Sequence, residues 1–132
     1  MSGVSGSSAN RRAQVVGIGA RRGVSAAAVR AVLERVAGEY GLDLRDALFA
    51  SVEGKDEPGI REAIAPAVLR LHPAPLLAAC VVPSPSGRVE EAVGTPSVAE
   101  AAALVTAGAG AVLVVPKTRG DGVTVAVAVA GR

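Results

Sequence analysis

Two short segments of this chain place glycine, hydroxyl and charged residues at spacings suited to capturing an anion. The first is Val15-Val16-Gly17-Ile18-Gly19-Ala20-Arg21-Arg22-Gly23-Val24-Ser25. Its apolar run reads as a buried strand that breaks into a glycine-rich turn, and Ser25 then stands as an N-cap for a helix. Strand, glycine turn and helix bring backbone donors to the carboxyl end of a parallel strand, where open α/β sheets bind ligands. Arg21 and Arg22 add two guanidiniums close to a helix N-terminus, whose dipole disfavours cations unless an anion arrives. A solvated turn is one reading of the pair. A bidentate clamp for carboxylate or phosphate is the other.

The second segment is Val93-Gly94-Thr95-Pro96-Ser97-Val98-Ala99-Glu100. Ser97 and Glu100 have the spacing of a capping box, and the small residues that follow continue a helix. A glycine turn feeding a helix start leaves unpaired N–H groups and a positive dipole end facing outward. This segment is therefore either an ordinary capped helix or an anion site. Glu100 is expected to cap its helix. Between the two lies Glu53-Gly54-Lys55-Asp56-Glu57-Pro58-Gly59, a polar turn that opens a further helix. Its Lys55-Asp56-Glu57 triplet is either a solvated turn with local charge pairing or a source of an acid or base.

Other chemistries fit poorly. The glycines at 17, 19 and 23 are one residue too widely spaced for the dinucleotide fingerprint, and no Gly-Lys-Ser/Thr marks a phosphate loop. The formal net charge of +2 is small, and Tyr40 and Phe49 are the only aromatics, so nucleic-acid binding is not expected. Cys80 and His72 each occur once, which excludes an internal disulfide and a multi-cysteine metal site. No metal or cofactor is expected. The stretch from Met1 to Asn10 is rich in Ser and Gly without an apolar segment, and reads as a disordered tail rather than a signal peptide. The longest apolar run, Val123 to Ala130, is too short to span a bilayer, so a cytoplasmic protein without membrane contact is expected.

The elements that would position these residues alternate. Strands are expected over 15–19, 47–52, 68–71, 111–115 and 123–130. Helices are expected over 26–40, with apolar residues at Val29, Val32, Leu33 and Val36, then 60–65, 76–80, 88–93, and from Ser97 to the stop at Gly108. Lys117 to Gly122 reads as a polar hairpin carrying an Asp-Gly signal. The run from Val123 to Ala130 could form an edge strand that pairs with another subunit. With half its residues apolar, the chain can build one core. The expected architecture is a three-layer α/β/α domain over 14–132, after a tail at 1–13. Its mixed, mostly parallel sheet would have about five strands with an antiparallel edge. If the first two strands are parallel neighbours, Arg21, Arg22 and Lys55 form a basic cluster with Asp56 and Glu57 beside it.

Taken together, Val16-Gly17-Ile18-Gly19-x-Arg21-Arg22-Gly23, Lys55-x-Glu57-Pro58, the segment from Val93 to Leu104 and the run Val123 to Ala128 resemble the CobE / CbiG C-terminal domain family of cobalamin biosynthesis. The resemblance covers roughly residues 14–130, with four motifs in order. It implies a small α/β domain whose ligand is a precorrin or corrinoid carrying acetate and propionate side chains, with other cobalamin-pathway enzymes as partners. It also implies kinship with the hydrolase that opens the ring-A lactone of cobalt-precorrin-5A and releases acetaldehyde. Members often carry a cysteine after the second glycine of the first motif; here that position is Ala20, so a thiolate there is no part of this chain's chemistry. Only a short polar tail precedes the domain, which favours the stand-alone, CobE-like form. The expected ligand contacts are Gly19, Arg21, Arg22, Gly23, Ser25, Lys55, Gly94, Thr95 and Ser97. Glu57 and Lys55 are the candidate acid or base if chemistry occurs.

Overall fold

The computed structural model describes residues 13–80 and 97–130. The order of elements is β1 (Gln14–Ala20), α1 (Ala26–Tyr40), β2 (Leu48–Val52), α2 (Pro58–Ile64), β3 (Leu69–His72), α3 (Ala74–Ala78), α4 (Val98–Ala107), β4 (Val112–Gly120) and β5 (Val123–Val129). The expected helix over 88–93 and the segment Val93 to Pro96, including Gly94 and Thr95, lie outside the described residues.

The five strands form one sheet in the order β3-β2-β1-β5-β4. β1, β2 and β3 pair in parallel, while β5 runs antiparallel to both β1 and β4. All strands but β5 thus point the same way, giving the mixed, largely co-directional sheet that the sequence predicts. Near-continuous apolar strands require cover on both faces, and they receive it. On one face, Val16, Ile18, Phe49, Leu69, Val123, Val125 and Val127 pack against Val29, Val32 and Val36 of α1 and Ile60 and Ile64 of α2. On the other, Val15, Ala50, Val52 and Ala128 pack against Leu77 of α3 and Ala101, Ala102, Ala103 and Leu104 of α4.

Local rules account for the helix boundaries. Ser25 caps α1 by accepting the Ala28 N–H at 3.1 Å, and Gly41 ends the helix in the left-handed region at φ 65°. Pro58 opens α2, where its missing N–H costs nothing. α3 starts after Pro73, two residues earlier than the sequence suggests, because two prolines at its start set its φ angles.

Two expectations about the last hairpin are corrected. Lys117 to Gly120 belongs to β4, and the turn is Asp121-Gly122 alone, with φ of 51° and 80°. Both central residues at positive φ match the tight hairpin turn whose twist suits the flanking strands, so pairing continues to the turn. The run at 123–130 is not an edge strand. β5 lies between β1 and β4, which leaves β3 and β4 as the edges.

Candidate functional site

The carboxyl edge of β1 and β2 gathers the loops that the sequence singles out. β1 and β2 are parallel neighbours, Val15 opposite Leu48 and Gly17 opposite Ala50, so the loops that follow them leave the same edge. The first of these loops is tied on both sides. Arg21 N–H donates to the Gly122 carbonyl at 2.9 Å in the β4–β5 turn, and Gly23 N–H donates to Glu57 Oε1 at 2.9 Å in the second loop. Within the loop, Val24 N–H closes a turn on the Arg21 carbonyl, with Gly23 at φ 78°, a conformation glycine adopts without strain. Arg21, Arg22 and Lys55 are exposed. The side chain of Arg21 lies over Gly122, close enough that a methyl group on that glycine would strike it.

Helix starts converge on this edge. α1 begins directly after the first loop. The first turn of α2 presses on the start of α1, since a Cβ on Gly59 would overlap the Val24 carbonyl. The start of α4 reaches the same edge, where Val98 lies 4.0 Å from the Cβ position of Gly19. Gly19, Arg21, Arg22, Gly23, Ser25, Lys55, Glu57 and Ser97 therefore belong to one region of the molecule, spread over three loops.

The structure also shows how several of these groups are engaged. Ser25 and Ser97 both act as caps, with Ser97 Oγ accepting the Glu100 N–H at 3.4 Å. Glu57 spends one carboxylate oxygen on Gly23 and so holds the Arg21–Gly23 turn in place. Asp56 pairs with Arg61 of α2 at 2.8 Å, and this bond holds its carboxyl below the usual range. That part of the Lys55-Asp56-Glu57 triplet is local charge pairing. Glu100 does more than its capping spacing suggests. It is buried, and its Oε2 accepts the Lys117 N–H of β4 at 3.0 Å. His72 ends β3 and shares a 2.7 Å hydrogen bond with Thr106 of α4. Burial pushes the Cys80 thiol up in pKa, which works against a reactive thiolate.

One charged residue near this edge escapes the linear sequence. Gly19 pairs with Thr124, and Thr124 pairs with Arg119, so Arg119 lies on the same row of the sheet two strands away. At ordinary strand spacing that is about 10 Å from Gly19. The signal was obscured because Arg119 reads as part of a polar loop until the length of β4 is known. Among the described residues no cluster of His, Cys, Asp or Glu suits a metal ion, and no helix is long and apolar enough to cross a membrane.

A family model described as the cobalamin synthesis G C-terminus matches residues 14–128. The chain belongs to this family. Among solved structures, CobE, a protein from the cobalamin (vitamin B12) biosynthetic pathway, is 36% identical, with 89% of this chain and 90% of that one covered and a TM-score of 0.71. The cobalamin biosynthesis protein chiG from Agrobacterium tumefaciens is 32% identical, covering 90% of this chain and 99% of that one at a TM-score of 0.69. A cobalamin biosynthesis protein G homologue from Sulfolobus solfataricus shares the fold at 20% identity and a TM-score of 0.65; this chain spans 37% of its length. No curated protein matches. Membership of the cobalamin synthesis G C-terminal family makes this a cobalamin-biosynthesis protein, and its mixed five-stranded α/β fold matches that of CobE.

Proposed function

We propose that this chain binds an anionic precorrin or corrinoid intermediate at the carboxyl edge of β1 and β2. The observation that carries the reading is the Gly23–Glu57 bond, which draws the Arg21-Arg22 turn and the Lys55 loop together beside the starts of α1 and α4. Corrin precursors bear several carboxylates on an apolar macrocycle. Exposed guanidiniums and helix N-termini answer the carboxylates, and Val98 offers apolar surface between them. Gly94 and Thr95 complete the proposed contacts, and enzymes of the cobalamin pathway are the proposed exchange partners for the ligand.

The test is titration with cobyrinic acid, followed by absorbance and calorimetry. Wild-type protein is expected to bind saturably. The Arg21→Ala/Arg22→Ala double variant is expected to bind at least about tenfold more weakly, because each charged hydrogen bond is worth roughly 1.5–3 kcal/mol. Equal affinity would remove these residues from the site.

A second reading makes the domain one part of a cobalt-precorrin-5A hydrolase. It draws on the family's description as the C-terminus of a larger protein, and on the partial span of the Sulfolobus homologue. Here Lys55 or Glu57 would serve as acid or base. Acetaldehyde release that persists unchanged in a Lys55→Ala/Glu57→Gln variant would sink that assignment.

A further inference from the structure

We propose that Arg119 is a further carboxylate-binding arm of this site, aimed there by a β4 bulge that buried Glu100 holds in place. The inference rests on the ligand-binding function proposed above and extends it to an element distant in sequence from the glycine loops.

The argument starts from pairing register. Along β4, Val115 pairs with Val127, but the next pair is Thr118 with Val125, followed by Arg119 with Thr124. Three steps on β4 therefore match two on β5, and one extra residue sits at Pro116-Lys117. Side chains alternate faces with a period of two, so one inserted residue reverses every side chain that follows it. Val115 packs in the core on the α1 face. Without the insertion Arg119 would share that face, opposite Val123, whose side chain is 1% exposed. With it, Gly120 takes the place over Val32 of α1, and Arg119 turns to the side of Thr124, Gly19 and Val98.

The bulge has a defined anchor. An extra residue in a strand leaves its N–H outside the ladder, where a side-chain oxygen can accept it. Glu100, only 8% exposed in the first turn of α4, accepts the Lys117 N–H at 3.0 Å. A buried carboxylate is tolerated only where it is hydrogen-bonded, and the Lys117 N–H supplies that bond. The same contact ties the start of α4, which stands beside Gly19, to the strand that presents Arg119. From the other side, Arg35 of α1 donates to the Arg119 carbonyl at 2.8 Å. A bond to each flanking helix thus holds this strand within two residues of Arg119, while the side chain stays exposed. The proposed ligand class is a polycarboxylate wide enough to touch Arg21 or Arg22 with one acid group and Arg119 with another.

The experiment compares cobyrinic acid with its neutral heptamethyl ester on wild type, Arg119→Ala, Glu100→Gln, Glu100→Ala and the Arg119→Ala/Glu100→Ala pair, with folding checked by circular dichroism. Arg119→Ala is expected to weaken acid binding by about tenfold and leave ester binding unchanged. Glu100→Gln keeps an acceptor for Lys117 and is expected to bind the acid as wild type does. Glu100→Ala is expected to match Arg119→Ala, and the double variant to be no weaker than either single one, because both changes remove the same contact. Additive losses would overturn the positioning role of Glu100. Wild-type binding with Arg119→Ala unaffected would overturn the arm itself while leaving the glycine-loop site intact. Failure of wild type to bind the acid would overturn the ligand-binding function first. If Glu100→Ala does not fold, Arg119→Ala still decides the arm, and acid binding by Glu100→Gln as weak as that of Arg119→Ala would overturn the role of Glu100 as a simple acceptor for Lys117.

Discussion

The two faces of the sheet are packed by different means. Against α1 and α2 the contact is made by valines, isoleucines and Phe49, bulky side chains that interdigitate. Against α4 it is made largely by alanines and by Gly17, which has no side chain, with Val15, Val52 and Leu104 beside them. The first face supplies most of the buried volume, and its geometry can relax when one side chain changes. The second brings helix backbone almost onto strand backbone, so the position of α4 is set by atoms that cannot rotate away. The carboxyl-edge site uses both. Its glycine loop rides on the bulky face through α1, while Ser97 and Val98 are delivered to Gly19 by the close-packed one.

The largest expected effect tests that contrast directly. A methyl group at Gly17 would overlap the Ala99 carbonyl and crowd the Ala103 amide, both of them backbone. Gly17→Ala should therefore cost at least about 3 kcal/mol, the upper part of the range for overpacking. For a domain of this size that lowers Tm by about 10 °C or more. Ile18→Val, its neighbour on the other face, removes one methylene from a packed core and should cost about 1 kcal/mol. Similar losses for the two variants in thermal unfolding would show that the faces are not packed by different rules.

This contrast also marks how far the sequence could be read. The strand–turn–helix of β1 and α1 and the caps at Ser25 and Ser97 follow from local pattern, because each depends on residues a few positions apart. The edge shared by the Arg21 and Lys55 loops follows only once β1 and β2 are parallel neighbours. Gly17 reads in the sequence only as a glycine within the first strand, yet its role is to admit α4, whose nearest residue is 82 positions away at Ala99. The bulge in β4 was illegible for the same reason. Its anchor, Glu100, reads locally as a helix cap, and only the tertiary arrangement shows the carboxylate reaching Lys117. Long-range register, rather than composition, separated what was foreseen from what was not.

A smaller effect separates the two helices that begin at the site. Ser25 binds the Ala28 N–H at 3.1 Å, whereas Ser97 binds the Glu100 N–H at a longer 3.4 Å. Removing a cap costs about 1 kcal/mol. Ser25→Ala should lower the urea midpoint more than Ser97→Ala, since the shorter bond is the better one and α4 is held in addition by its contact with β1. The reverse order would mean that α4 depends on its cap and that close packing against Gly17 does not by itself hold its start.

The weakest feature of the site region should be the Asp56–Arg61 pair. Both partners are open to solvent, with side chains 31% and 48% exposed, so screening leaves the pair little net worth near neutral pH. Its signature is expected in acid. The hydrogen bond from Arg61, the first of the influences on Asp56, holds its folded-state pKa below the ordinary value of 3.8. A depressed carboxyl contributes stability that is fully present above its unfolded pKa and is lost as pH falls through the folded one. Asp56→Asn should therefore leave the urea midpoint at pH 7 nearly unchanged, and should slightly flatten the decline of stability below about pH 4. An equal slope for wild type and variant in that acid range would show that the pair does not persist in solution. A marked loss at pH 7 would instead mean that Asp56 orders the Lys55 loop, and would move it from the rim of the site into the frame that holds Lys55 and Glu57 in place.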